Sequence, residues 1–167
     1  MKIIVLSDTH MPYRGKALPG RLVQELKGSG LILHAGDWTD WFVYERLSEF
    51  APVQGIAGNN DGVDIVERLG YQRIVEVEGK RIGMVHGHGW RGSTENIALN
   101  TFKGETLDCL IYGHSHIPVV KKLDGLLVLN PGSPTDKRGE DEYSFIVLTI
   151  EAGQMEAQLV LYPDKHE

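Results

Sequence analysis

Asp8 and His10 stand two residues apart, directly after the apolar run 3–6. The arrangement recurs along the chain. Run 31–33 leads into His34-Ala35-Gly36-Asp37, and run 53–57 into Gly58-Asn59-Asn60-Asp61. Run 82–85 leads into His86-Gly87-His88, and run 107–112 into Gly113-His114-Ser115-His116. Imidazoles, carboxylates and one amide oxygen suit divalent Mn, Fe, Zn, Co or Ni better than Ca or Mg, which favour all-oxygen shells. There are enough donors for two ions. A shared ligand needs two oxygens, so Asp37 rather than Asn59 is the candidate bridge. Two ions roughly 3.5–4 Å apart would acidify a bridging water and clamp a phosphoryl group for in-line attack, with no serine or cysteine nucleophile required.

The elements that must position these residues are legible as short apolar runs. Such runs read as strands buried on both faces. Residues 22–26 carry helical spacing between Pro19-Gly20 and Gly28, and 41–50 reads as a helix with Thr39 or Asp40 as N-cap, ending before Pro52. Strand, helix, strand, helix, strand is an α/β pattern. Residues 73–78 and 81–85 predict a hairpin through Gly79-Lys80, and 94–102 predicts a helix. Stretches 119–123, 126–129, 143–150 and 155–162 read as further strands, antiparallel in character. The expectation is two packed mixed sheets with helices on their outer faces. In open α/β sheets ligands bind beyond the carboxyl ends of strands; five such ends in one sheet region would gather the polar residues.

Composition bounds the rest. A chain of 167 residues is one domain's worth. Hydrophobic residues at 41% and charged residues at 24% are those of a globular protein rather than a disordered one. Seventeen Lys+Arg against 23 Asp+Glu give a net charge of −6, which disfavours a nucleic-acid partner. Cys109 is the single cysteine, which excludes an internal disulfide. The apolar start is too short for a signal peptide, and no stretch approaches the ~20 apolar residues of a membrane span. A cytoplasmic location without membrane partners is expected.

The five motifs, in this order, resemble those of the calcineurin-like metallophosphoesterases. The short length and Asn130-Pro131-Gly132-Ser133 resemble the small bacterial and archaeal phosphodiesterase branch. The resemblance runs from Asp8 to Ser133. It implies a four-layer α-β-β-α sandwich forming one metallophosphoesterase domain over residues 1–167. It also implies two divalent ions, manganese first with zinc, iron, nickel and cobalt as alternatives. Asp8, His10 and His116 would hold one ion, Asn59, His86 and His114 the other, and Asp37 would bridge. A metal-bridging hydroxide would attack the phosphorus of a small phosphoester, with diesters favoured. A phosphomonoesterase and a non-catalytic scaffold of the sorting-complex type are the alternatives, and the resemblance allows a homodimer.

Asp37, Asn59 and His88 are the expected catalytic residues, and Asn60, His88 and Arg91 the expected substrate contacts. The family places His, or in the small branch often Cys, where this chain has Asn60, which cannot donate a proton to a leaving group. His88 faces substrate as donor or acid, or supports the metal ligands. His34 and Cys109 read as core. Trp38, Trp41 and Trp90 either pack at the core edge or stack on a base or aryl group. Arg14, Lys16 and Arg91 offset phosphate charge or sit in solvent. The segment 130–134 is expected to fix a turn near the site.

Overall fold

The computed structural model describes residues 1–166. One sheet has the order β10-β9-β1-β2-β3, from β1 (Lys2–Leu6), β2 (Leu31–His34), β3 (Val53–Gly55), β9 (Tyr143–Glu151) and β10 (Gln154–Tyr162). The other has the order β4-β5-β6-β8-β7, from β4 (Gln72–Val77), β5 (Lys80–Val85), β6 (Cys109–Ile111), β7 (Val119–Leu123) and β8 (Leu126–Asn130). Helices α1 (Gly20–Leu26), α2 (Phe42–Ser48), α3 (Val63–Leu69) and α4 (Thr94–Thr101) flank the sheets.

The period of two in each strand builds the layers. Ile3 and Val5 face the second sheet, in a cluster with Ile82, Met84, Cys109, Ile111 and Leu129. Their neighbours Ile4 and Leu6 face the other way, onto Leu22 and Leu26 of α1 and Val43 and Leu47 of α2. Val85, Leu110 and Val128 turn outward to Ala98 of α4 and to Phe102. The order is therefore helices, sheet, sheet, helix, as expected. Each fully buried Leu, Ile or Val contributes roughly 1.5–3 kcal/mol, so both faces of both sheets stabilise the arrangement.

The strand directions decide where the polar residues meet. β1, β2 and β3 run parallel, and so do β5, β6 and β8. The five strand ends therefore come from two facing sheets, three from one and two from the other, rather than from one sheet region. The final hairpin β9-β10 is antiparallel, whereas β8 is parallel to β6 and antiparallel only to β7. Helix α2 starts at Phe42 behind Trp41, and Asp40 Oδ1 accepts from the Phe42 N–H at 3.0 Å. Cys109 is buried in the core, as read. Among the described residues no helix is long and apolar enough to cross a membrane.

Candidate metal centre

Asp8, Asp37, His86 and His116 are buried to within 1% of full enclosure, at the ends of β1, β2, β5 and β6. His10 Nε2 lies 3.7 Å from Asp8 Oδ1 and 3.4 Å from Asp37 Oδ2. His86 Nε2 lies 3.5 Å from the same Asp8 oxygen and 3.3 Å from the same Asp37 oxygen. His116 Nε2 lies 3.4 Å from Asp8 Oδ1. Asp8, His10 and His116 form one trio of donor atoms within 4.8 Å of one another, and Asp8, Asp37 and His86 form a second. Asp8 thus belongs to both trios, while Asp37 Oδ2 faces an imidazole of each.

The backbone around these residues is held in unusual conformations. Asp8, His10, Asp37, His114 and His116 all have φ between 46° and 68°. Non-glycine residues seldom adopt that region, and such residues cluster at functional sites where the surroundings enforce them. Gly58 shows how tight the packing is: a Cβ there would lie 2.2 Å from Asp37 Oδ1 and 2.7 Å from Asp37 N. Only glycine lets the loop after β3 close on Asp37.

Ring tautomers are set from behind. His86 Nδ1 donates to the Ala35 carbonyl at 2.7 Å, and His116 Nδ1 donates to the Asp136 carbonyl. Such bonds leave Nε2 as the nitrogen aimed into the cluster. Yet Asp8 Oδ1 and the Nε2 atoms of His10, His86 and His116 are buried without a hydrogen-bond partner. Buried polar atoms are normally satisfied, so three imidazole nitrogens gathered within 3.7 Å of Asp8 Oδ1 call for cationic partners. A divalent cation is such a partner, and mixed N/O donors suit a transition metal.

Electrostatics agree. Burial opposes charge on His86, but the Asp37 contact and the charges of Asp8 and Asp37 push its pKa up to about 9. Burial also opposes ionisation of the two carboxyls. The neighbouring imidazoles nevertheless hold Asp8 far below the usual range, and His86 with the Asn60 N–H draws Asp37 down to about 2. The field that keeps a proton on His86 is the field that would hold a metal cation.

The remaining expected residues lie around this core. His114 stands edge-on to His86, ring centroids 5.2 Å apart. His88 is half-buried, 5.7 Å from His86 and 6.4 Å from His114. Asn59 is exposed on the turn after β3, and the neighbouring Asn60 makes the direct contacts with Asp37. Arg91 is exposed in the loop that carries His88. Arg14 is exposed, as read, and pairs with Asp136 at 3.6 Å, behind His116. His34 is core: it stacks on Trp38 at 3.7 Å and accepts from the Gly36 N–H through Nδ1.

Other residues do structural work that the sequence did not disclose. The Asp61 carboxylate accepts from the backbone N–H groups of Asp37, Thr39 and Gly58, each at 2.8 Å, and so ties two ligand loops together. The 130–134 segment fixes more than its own turn. Asn130 Nδ2 donates to Gly113 O and Ser115 Oγ, steadying the His114–His116 loop. Ser133 Oγ donates to Asp8 O at 2.8 Å and Thr135 Oγ1 to Thr9 O, which anchors the Asp8–His10 loop.

Residues 1–153 match the calcineurin-like phosphoesterase superfamily domain, and the chain belongs to that superfamily. A "probable metallophosphoesterase" of Methanothermobacter thermautotrophicus is 36% identical over 166 residues, covering 96% of this chain and 92% of that one. A phosphodiesterase of Methanocaldococcus jannaschii is 28% identical, covering 79% of this chain and 83% of that one. Vps29 of Chaetomium thermophilum shares the fold, with a TM-score of 0.78 at 20% identity and 98% of each chain covered.

Proposed function

We propose that this chain is a binuclear metal-dependent phosphodiesterase acting on small phosphoesters. The observation that carries the reading is the gathering of three buried, unpartnered imidazole nitrogens around the unpartnered Asp8 Oδ1, in two donor trios. Asp8, His10 and His116 would hold one ion and His86, His114 and Asn59 the other, with Asp37 shared. Bound divalent ions supply a water acidic enough to react at neutral pH and positive charge for the phosphoryl oxygens. The chain's own contribution is positional. Ala35 and Asp136 carbonyls orient two imidazoles, Asn60 and Asp61 fix the Asp37 loop, and His88 stands over the cluster as the residue that meets a phosphate oxygen. Arg91, in the same loop, adds positive charge for the substrate.

Preference for diesters is supported by the phosphodiesterase relative. A scaffold holding a structural ion is the second reading, since Vps29 of Entamoeba histolytica, which shares the fold, is solved in complex with zinc. The test is a panel of p-nitrophenyl monoesters and diesters assayed with Mn, Zn, Ni and Co after chelation. Metal-dependent hydrolysis with diesters ahead of monoesters is expected. Monoesters ahead would make the protein a phosphomonoesterase, and no hydrolysis with any ion would remove the catalytic reading.

A further inference from the structure

Trp90 lies in the loop between β5 and α4 and is 94% exposed, whereas Trp38 is fully buried and Trp41 stacks on Tyr44 at 4.3 Å. A tryptophan normally buries 150–250 Å² of surface, on the order of the largest gain any side chain offers. This one forgoes it while sitting two residues from His88. Gly89, with φ of 138°, makes the turn that projects it, a conformation closed to other residues. His88, Trp90, Arg91 and Ile97 line a cleft of about 380 Å³. That size falls within the usual range for small-molecule sites, roughly 300–1,000 Å³. His88 is common to the cleft and the metal cluster, since its ring also faces His86 and His114. Tyr71, itself 48% exposed, adds a second aromatic ring 5.7 Å from His88.

We propose that this cleft is the subsite for a flat aromatic group esterified to the phosphate, with Trp90 as the stacking surface. The proposal rests on the phosphoesterase reading of the cluster and names its substrate class. A phosphoryl group at the cluster would lead its organic arm past His88 into a cleft floored by Ile97. Arg91 gives that cleft a cation, which suits an anionic ester. Aryl esters have this chemistry. Aromatic pairing is worth roughly 2- to 12-fold in affinity beyond the area it buries.

Phenylphosphonate and methylphosphonate test it, because neither is an ester and they differ only in the ring. Titration of the zinc-saturated protein by calorimetry should show phenylphosphonate binding about 5-fold or more tighter. Trp90→Ala should erase that preference without changing methylphosphonate affinity, and Trp90→Phe should keep most of it. Trp90 is exposed, so neither change threatens the fold. Methylphosphonate binding without any preference for the ring, or a preference that survives in Trp90→Ala, overturns the subsite alone. Failure of both phosphonates to bind overturns the phosphoesterase reading beneath it as well.

Discussion

Asn60 holds Asp37 at both oxygens: its backbone N–H donates to Oδ1 and its side-chain amide to Oδ2, each at 2.9 Å. The residue that departs from the family pattern is thus a clamp on the shared carboxylate. Partners that orient metal ligands are typically worth about 10–100-fold in metal affinity or activity. Asn60→Ala should therefore weaken metal binding by about tenfold or more. At saturating metal, Asn60→His should speed hydrolysis of alkyl diesters, whose leaving groups need a proton, relative to aryl diesters. General acid catalysis is worth ~10²–10⁴ for such leaving groups. Parallel rates on the two substrate classes in Asn60→His would show that the position takes no part in proton transfer.

His88 offers the competing acid. As a phosphate contact only, its removal in His88→Ala lowers aryl and alkyl diester turnover by similar factors. Selective loss of the alkyl reaction would make His88 the proton donor. Steady-state rates on bis(p-nitrophenyl) phosphate and dimethyl phosphate, with methanol release followed for the second, separate the two outcomes.

Asp61 makes a prediction about stability. Asparagine in its place has one acceptor oxygen, so it cannot serve three backbone donors, and each buried donor left unpaired costs about 1–3 kcal/mol. Asp61→Asn should lower the thermal midpoint and weaken metal binding together. Asp40→Asn is the comparison, because Asp40 is exposed and bonds only the Phe42 N–H; it should shift stability by no more than about 0.5 kcal/mol. Equal effects at the two positions would refute the clamp.

Much of this was legible in the sequence because apolar runs and the polar residues after them carry their own signal. The ligand motifs, the buried Cys109 and the helix-sheet-sheet-helix layering follow from such runs. Helix α3 is harder to see: it is seven residues long, only Ile65 is buried, Val66 and Leu69 pack partly buried on the core, and Val63 is 73% exposed, so its apolar stripe is short. The Asp61 clamp is equally hidden, since it joins a side chain to backbone N–H groups that every residue possesses. The sequence left two roles open for the tryptophans, and the backbone divides them. Trp38 follows a strand into the core, while Trp90 is thrown outward by a glycine turn.

Buried imidazoles set the pH response of the metal-free protein. Burial draws the His34 pKa down to about 3 and lowers His88 and His114, against an ordinary value of 6.5. Below pH 6.5 the unfolded chain binds protons that the folded one refuses, so stability falls with acid. His86 acts oppositely: burial is outweighed by the Asp8 and Asp37 carboxylates, its folded pKa is about 9, and the stability it contributes is lost as pH rises from 6.5 through 9. Thermal midpoints of the chelated protein should therefore peak near pH 6.5. A steady rise to pH 9 would contradict these assignments. Because metal must displace the His86 proton, binding at pH 7 should release protons, read as a buffer-dependent enthalpy.

The two donor trios joined by Asp8 and facing Asp37 are the proposed two-ion centre. Elemental analysis of the chelated protein after saturation with manganese or zinc and removal of free ion tests it most directly. Two ions per chain are predicted for the natural sequence, with Asp37→Asn retaining fewer than two and losing turnover by orders of magnitude. One ion or none in the natural sequence, or full hydrolysis by the metal-free protein, would contradict the account.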